Sequence, residues 1–482
     1  MGVMLLVGTA KGMFILESDA KRTKWSRRGP YHKGWMVYGL FADKRHQDPV
    51  LYSGVSNFIF GPHIQRSTDG GETWTAVENG PSFTTESGRK LEHIWGFAAG
   101  PKPNVLYCGV SQAALFESKD DGLTWSIVES LEKHPTRSEW GPGAGGLCLH
   151  TLIPDAKNPQ RMFVGISAVG CFRTDDGGQS WSPKNKGVSV LELDEGPKYA
   201  GEVNRCLHKM VQDPEHPERL YQQNHLGVFR SADAGDTWER CENGLPAHFG
   251  FPIAMHPRDH DTLYLIPQES DQVRMFPDGK LTVYSSTDAG DSWHAIGPTD
   301  GGNFAGVLRD GMSVDSLDPA GIYFGTSSGQ LYASANEGKS WLQLPGAVPA
   351  HPERESHHYL VAAVTVSVPR MLTSFTGGNR RFSVDAETVA GALAAAEKIY
   401  PMLRAHIFDE AGGVREHVQI FVNATDSRQL PSLDGPVSEG DEIIVLQAIS
   451  GGRMRGNPDG SLSSPGASRP PALFPAYRWD LF

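Results

Sequence analysis

Apolar positions along this chain come in short runs that alternate with polar ones, and turn residues interrupt them every few positions. Met210-Val-Gln-Asp-Pro-Glu-His-Pro-Glu-Arg-Leu-Tyr221 shows the unit: an apolar strand, an Asp/Pro turn and an aromatic-rich strand. Up to about residue 350 no stretch carries a sustained helical period. The pattern then changes. Val361–Val368 and Arg380–Val384 read as strands, and Asp385 as the cap of a helix from Ala386 to about Tyr400. Val389, Ala392, Leu393, Ala396 and Ile399 share one face of that helix, and Pro401 stops it. Val418–Val422 and Glu442–Ile449 are two further strands, giving the order β-β-α-β-β.

One octapeptide punctuates the first part: Ser/Thr-x-Asp-x-Gly-x-Ser/Thr-Trp. It ends at Trp74, Trp125, Trp181, Trp238 and Trp293, and at Trp341 in a copy with Asn336 in place of Asp. The repeat is 48–57 residues long, and Trp25 marks a seventh, degenerate unit. The octapeptide is built as a hairpin lock. The Asp accepts hydrogen bonds from turn N–H groups, the Gly takes a backbone conformation closed to other residues, and the Trp covers the loop. Four short strands repeated about seven times predict an all-β seven-bladed β-propeller over residues 1–350. A small α+β ubiquitin-like (β-grasp) domain follows at 359–452, after a linker at 351–358, and residues 453–482 read as a disordered tail.

Composition fits this division. The 55 glycines, 33 prolines and 11 tryptophans among 482 residues suit repeated tight turns. The net charge of −12 offers no global basic surface, which argues against nucleic acid as a partner. No apolar run approaches the roughly 20 residues that span a bilayer, so no membrane partner is expected. An odd number of cysteines (five) without a Cys-x-x-Cys pair points away from a disulfide framework and towards a cytoplasmic protein.

Aligning the units on their turn aspartates (Asp43, Asp155, Asp213, Asp315) superposes the innermost strands. Strand alternation then places Val37, Ile94, Leu149 and Leu207 between blades. It turns Tyr38, His93, Trp95, His150, His208, Phe251 and Asp310 towards the central channel as ligand candidates, with His225 on a loop at the same end. Cys148-Leu-His150 and Cys206-Leu-His208 are matching triplets on adjacent blades. Thiolate and imidazole suit zinc, so Cys148, His150, Cys206 and His208 are metal-ligating candidates, the alternative being polar groups that line the channel.

The octapeptides resemble the BNR/Asp-box repeats of sialidases, sortilin-type receptors and xyloglucanase-type hydrolases. The resemblance implies the propeller fold and places the boxes at the blade periphery, away from any active site. The Phe/Tyr-Arg-Ile-Pro motif of sialidases is absent, and no arginine triad stands out among Arg173, Arg205, Arg230, Arg274 and Arg309. No catalytic residue is assignable from sequence, and whether the protein is an enzyme stays open. A sialidase-like glycoside hydrolase acting on a glycan or other small molecule at the channel mouth is one alternative, and a non-catalytic interaction scaffold another.

Phe421-Val-Asn423 after the helix, Gly440-Asp441-Glu442 leading into the last strand, and Ala448-Ile-Ser-Gly-Gly452 resemble the MoaD/ThiS sulfur-carrier family. In that family a terminal Gly-Gly threads into a partner activating enzyme, which uses ATP to adenylate it before thiocarboxylate formation. The resemblance therefore implies a sulfur-carrier or ubiquitin-like modifier with Gly451 and Gly452 as the carrier terminus, and no cofactor of its own. Residues 453–482 follow the pair, so carrier chemistry requires a processing protease to cut before Arg453. The alternative is a domain that has kept the fold without the chemistry.

Overall fold

The computed structural model describes residues 2–447 except 58, 144, 190–202, 301, 347, 350–361, 387, 410–413, 416–417, 424, 430–432, 434–436 and 438–440. The linker at 351–358, Gly451, Gly452 and the tail lie outside the described residues. The chain divides into two compact units between Arg354 and Glu355.

Among the described residues the first unit contains seven antiparallel sheets, here numbered as blades in chain order. Blade 2 shows the plan: Met36–Asp43, Val50–Asn57, Gly61–Ser67 and Thr75–Ala76 pair in sequence. The innermost strands of blades 3 to 7 are Ile94–Ala99, Leu149–Pro154, Lys209–Gln212, Gly250–Met255 and Met312–Val314. Blade 1 has three strands, Val3–Thr9, Gly12–Ser18 and Trp25–Tyr31. Each blade buries its apolar face against the next. Tyr52 and Ile64 meet Ile94, Leu106 and Phe116 between blades 2 and 3, and Phe14 and Leu16 meet Tyr323 and Leu331 where blade 1 closes on blade 7. Val37, Ile94, Leu149 and Leu207 lie in such layers, each almost wholly buried.

The octapeptides join the third and fourth strands, and their bonding follows from their chemistry. In blade 2, Ser67 Oγ donates to Asp69 (2.7 Å) and accepts from Gly71 N–H (2.9 Å). Thr73 Oγ1 donates to Asp69 (2.6 Å), and Trp74 Nε1 donates to Gly71 O (3.1 Å). The box glycines, such as Gly71 (φ 87°), occupy the left-handed region. In the degenerate unit Arg22 (φ 56°) holds the glycine's place, three residues before Trp25. Each turn aspartate accepts the N–H two residues on, as Asp213 does from Glu215 (2.8 Å). In blade 6 His256 takes that part, its Nδ1 accepting from Arg258 N–H at 3.3 Å and from Asp259 N–H at 2.8 Å.

These locks make stability depend on acid. Hydroxyl and backbone donors, the Thr73, Ser180 and Ser292 hydroxyls foremost, hold Asp69, Asp176 and Asp288 down to about 2. A carboxyl depressed in the folded state stabilises the fold above its unfolded value, and that contribution disappears as pH falls from about 4 to about 2. Thermal unfolding across that interval is expected to show a steep loss of stability. The loss should be smaller in a triple Asp→Asn variant, since Asn336 accepts from Ser340 N–H (2.9 Å) without a charge. Equal losses in both proteins would contradict this account of the boxes.

Among the described residues the second unit is a five-stranded sheet packed on one long helix, with the short helix Arg404–Ile407 adding Ile407 to the same core. The sheet order is Arg381–Ala386, Ala362–Ser367, Glu442–Gln447, Val418–Val422 and Thr425–Asp426, with Ala362–Ser367 and Glu442–Gln447 parallel. The helix spans Val389–Ile399 and buries Val389, Ala392, Leu393 and Ala396 against Val366, Val384, Ile420, Ile443 and Val445. Two expectations are corrected. Asp385 does not cap the helix, because its backbone continues the strand and pairs with Ala363. Thr388 caps instead, accepting from Gly391 N–H at 3.0 Å. Ile399 lies off the buried face at the helix end, 51 % exposed. Asn423 ties the two sequence features together. Its Oδ1 accepts from Glu442 N–H (2.9 Å) and its Nδ2 donates to Asp441 (2.8 Å).

Candidate functional site

The innermost strands converge, but they do not alternate strictly. Their ladders slip at Val37/Leu40, Ile94/Gly96, Leu149/Thr151 and Gly250/Ile253, so that Tyr38, Trp95, His150 and Phe251 each sit at a bulge. A bulge leaves one residue unpaired and re-aims its side chain. The predicted channel residues consequently separate into two groups.

Tyr38, Trp95, His150 and Asp310 line a cavity of about 540 Å³ that follows the inner strands. Tyr38 packs on Trp95 at 4.9 Å, and Trp95 Nε1 donates to Ser111 Oγ at 3.0 Å. His93 does not line this cavity but packs on Tyr38 at 4.3 Å. Asp310 is ion-paired with Lys209, so this carboxylate is already engaged. His150 is fully bonded: Nε2–H donates to Leu207 O (3.1 Å), leaving Nδ1 to accept from Thr151 Oγ1 (2.9 Å). Burial, with Arg309 and Lys209 nearby, holds its ring well below the usual histidine range.

The second group gathers His208, His225 and Phe251. His208 stacks on Phe251 at 4.4 Å, and Phe249 meets both histidines edge-on. Cys206 joins them, its Sγ 2.8 Å from His225 Nδ1, while His208 Nε2 lies 3.2 Å from that same nitrogen. The zinc set expected from the matching triplets is therefore not assembled. Cys148 belongs to an apolar cluster with Tyr38 and Trp95, His150 is spent on hydrogen bonds, and His225 stands with Cys206 and His208 instead. Burial, followed by the neighbouring His225 and Arg309, keeps His208 well below its ordinary value. Burial lowers His225 as well and pushes the Cys206 thiol up to about 11.

Arg309 is one of the five arginines among which the sequence offered no choice. It is nearly buried and lies over the rings of Trp95 (5.6 Å) and Phe251 (5.4 Å), between the two groups; Arg274 also approaches Phe251 (5.7 Å). Arg173 and Arg230 instead reach the box loops of the next blade, bonding Ala234 O (2.7 Å) and Ala289 O (3.2 Å). The one available signal for Arg309 was its place beside Asp310 in the aligned units. All five cysteines are free, and among the described residues no helix is long and apolar enough to cross a membrane.

Two family models match the chain: the ThiS family over residues 371–452 and the BNR/Asp-box repeat over residues 65–76. Sulfur carrier protein CysO of Mycobacterium tuberculosis (strain ATCC 25618 / H37Rv) is 31 % identical over 91 residues, which are 18 % of this chain and 98 % of that protein. Xyloglucanase of Hypocrea jecorina (strain QM6a) is 22 % identical over 378 residues, 65 % of this chain, which spans only 42 % of that enzyme's length. Among solved structures, the Amycolatopsis orientalis BexX/CysO complex contains a chain 30 % identical to 19 % of this one; all of that chain is covered, with a TM-score of 0.18.

Proposed function

Because this chain belongs, through its C-terminal domain, to the ThiS family, we propose that it carries sulfur on Gly452 once the residues after Gly452 have been removed. The observation that carries this reading is where the family match ends. It runs from residue 371 and stops at Gly452, the second glycine of the pair. The reading is supported by an alignment that covers 98 % of a sulfur carrier protein at 31 % identity.

The chemistry requires a free carboxylate. Water and a processing protease cleave the Gly452–Arg453 bond. A partner enzyme then transfers the adenylyl group of ATP to the new carboxylate and releases pyrophosphate. A sulfur donor displaces AMP to leave the thiocarboxylate. Two glycines suit this task because a tail without side chains extends into a narrow adenylation site. The propeller serves as a binding platform, with the cavity at Tyr38 and Trp95 as its place for a small molecule or glycan.

The test offers two forms of the protein, the full chain and one ending at Gly452, to an adenylating enzyme with ATP and a sulfur donor. Only the form ending at Gly452 is expected to gain mass, by the replacement of one oxygen by sulfur. Equal modification of both forms, or of neither, would refute the reading.

A further inference from the structure

We propose that Cys206, His208 and His225 form a binding site for one thiolate-preferring transition metal ion, with zinc as the ion to test. The three residues come from the segment that leads into the inner strand of blade 5, Lys209–Gln212, and from the turn between Leu220–Asn224 and Gly227–Ser231. Each offers one ligand atom, and the three atoms lie within 4.8 Å of one another.

Around a tetrahedral zinc ion, with Zn–S near 2.3 Å and Zn–N near 2.05 Å, neighbouring ligand atoms stand about 3.3–3.6 Å apart. The two histidine nitrogens are 3.2 Å apart, close to that value. Sγ is 2.8 Å from His225 Nδ1 and moves outward by roughly 0.8 Å, within reach of a small torsion of the cysteine side chain.

The outer nitrogen of His208 is held as it is in a metal-binding histidine. His208 Nδ1–H donates to Gly250 O at 2.6 Å, so its Nε2 lone pair is aimed at the cluster. His225 Nε2 stands 3.9 Å from the Asp271 carboxylate, beyond hydrogen-bond distance but close enough for that charge to favour a proton on Nε2. Metal-binding histidines characteristically give their second N–H to a carbonyl or carboxylate, as His208 gives its own to Gly250 O. With the His225 proton on Nε2, two lone pairs face each other across 3.2 Å, and a cation between them turns that repulsion into two bonds.

Phe249 and Phe251 pack around the rings and hold them in place. A thiolate with two imidazoles selects zinc over magnesium or calcium, which take oxygen ligands. The positive charges of Arg309 and Arg274 act on Cys206 and oppose a cation; the thiolate formed on binding and the Asp271 carboxylate offset them. Three protein ligands leave a fourth position for water or a bound molecule, as in zinc sites that do chemistry. The site requires nothing from the C-terminal domain.

The test uses the full chain, purified from zinc-supplemented medium, dialysed, assayed for metal and then exchanged into cobalt(II). One zinc per chain is expected, together with a thiolate-to-cobalt charge-transfer band that Cys206→Ser abolishes. Asp271→Asn keeps all three ligands and should weaken zinc binding by roughly 10–100-fold. Cys148→Ser should retain both metal and band. Circular dichroism verifies folding, and if Cys206→Ser does not fold, His225→Gln carries the same test through lost metal. A native chain without zinc or band, a band that survives in the ligand variants, or one that vanishes in Cys148→Ser overturns the proposal.

Discussion

Arg22→Met is expected to destabilise the propeller by about 3–5 kcal/mol, the cost of leaving one member of a buried ion pair without its partner. The Arg22 side chain is 4 % exposed. It bonds Asp315 at 2.9 Å and the carbonyls of Pro319 and Ala335, each at 2.9 Å. One guanidinium therefore fastens blade 1 to three places on blade 7, where the ring closes. Asp315 also accepts from Tyr323 Oη (2.6 Å) and from the N–H groups of Leu317 and Gly321 (2.9 Å each), so methionine at position 22 strands a carboxylate whose surroundings are already organised. Adding Asp315→Asn removes the stranded charge and should recover part of the loss. Urea unfolding followed by tryptophan fluorescence reads the propeller, since every tryptophan but Trp479 lies within residues 1–350. A single variant as stable as the wild type would show that closure rests on the apolar layer alone.

Gly109→Ala is the second large effect, expected to cost about 1–3 kcal/mol through overpacking between blades. A Cβ at position 109 would lie 2.3 Å from Leu149 O and 2.6 Å from Leu149 Cδ2. A backbone carbonyl cannot rotate aside as a flexible side chain does, so the inner strand of blade 4 must shift. That strand carries the bulge at His150, and the substitution therefore disturbs the cavity wall as well as the blade packing. Gly141→Ala, with nothing within 4 Å of the added carbon, is the matched control and should stay within about 0.5 kcal/mol of wild type. Equal stability of the two variants would mean that the blades have more slack than this contact allows.

Both positions show what could be read from sequence and what could not. The seven blades were legible because the octapeptide is local: its Ser, Asp, Gly and Trp bond to one another within eight residues. The apolar layers at Val37, Ile94, Leu149 and Leu207 were legible because they keep the two-residue period up to the bulge. Beyond it the period no longer says where a side chain points. His150 therefore left the expected zinc set, and two similar triplets took different environments. His225 and Asp271 come from connections outside the inner strands, and no spacing announces that His225 meets Cys206 and His208 or that Asp271 approaches His225. In the C-terminal domain the strands and the helix face were visible, but the cap was not. Asp385 and Thr388 both have capping side chains, and the extension of the strand through Ala386 decides between them.

The central claim is that the ThiS-family domain carries sulfur on a processed Gly452, and the mass of the intact chain isolated from its native host tests it most directly. The account predicts a species ending at Gly452. A population in which every species extends past Gly452 would contradict it.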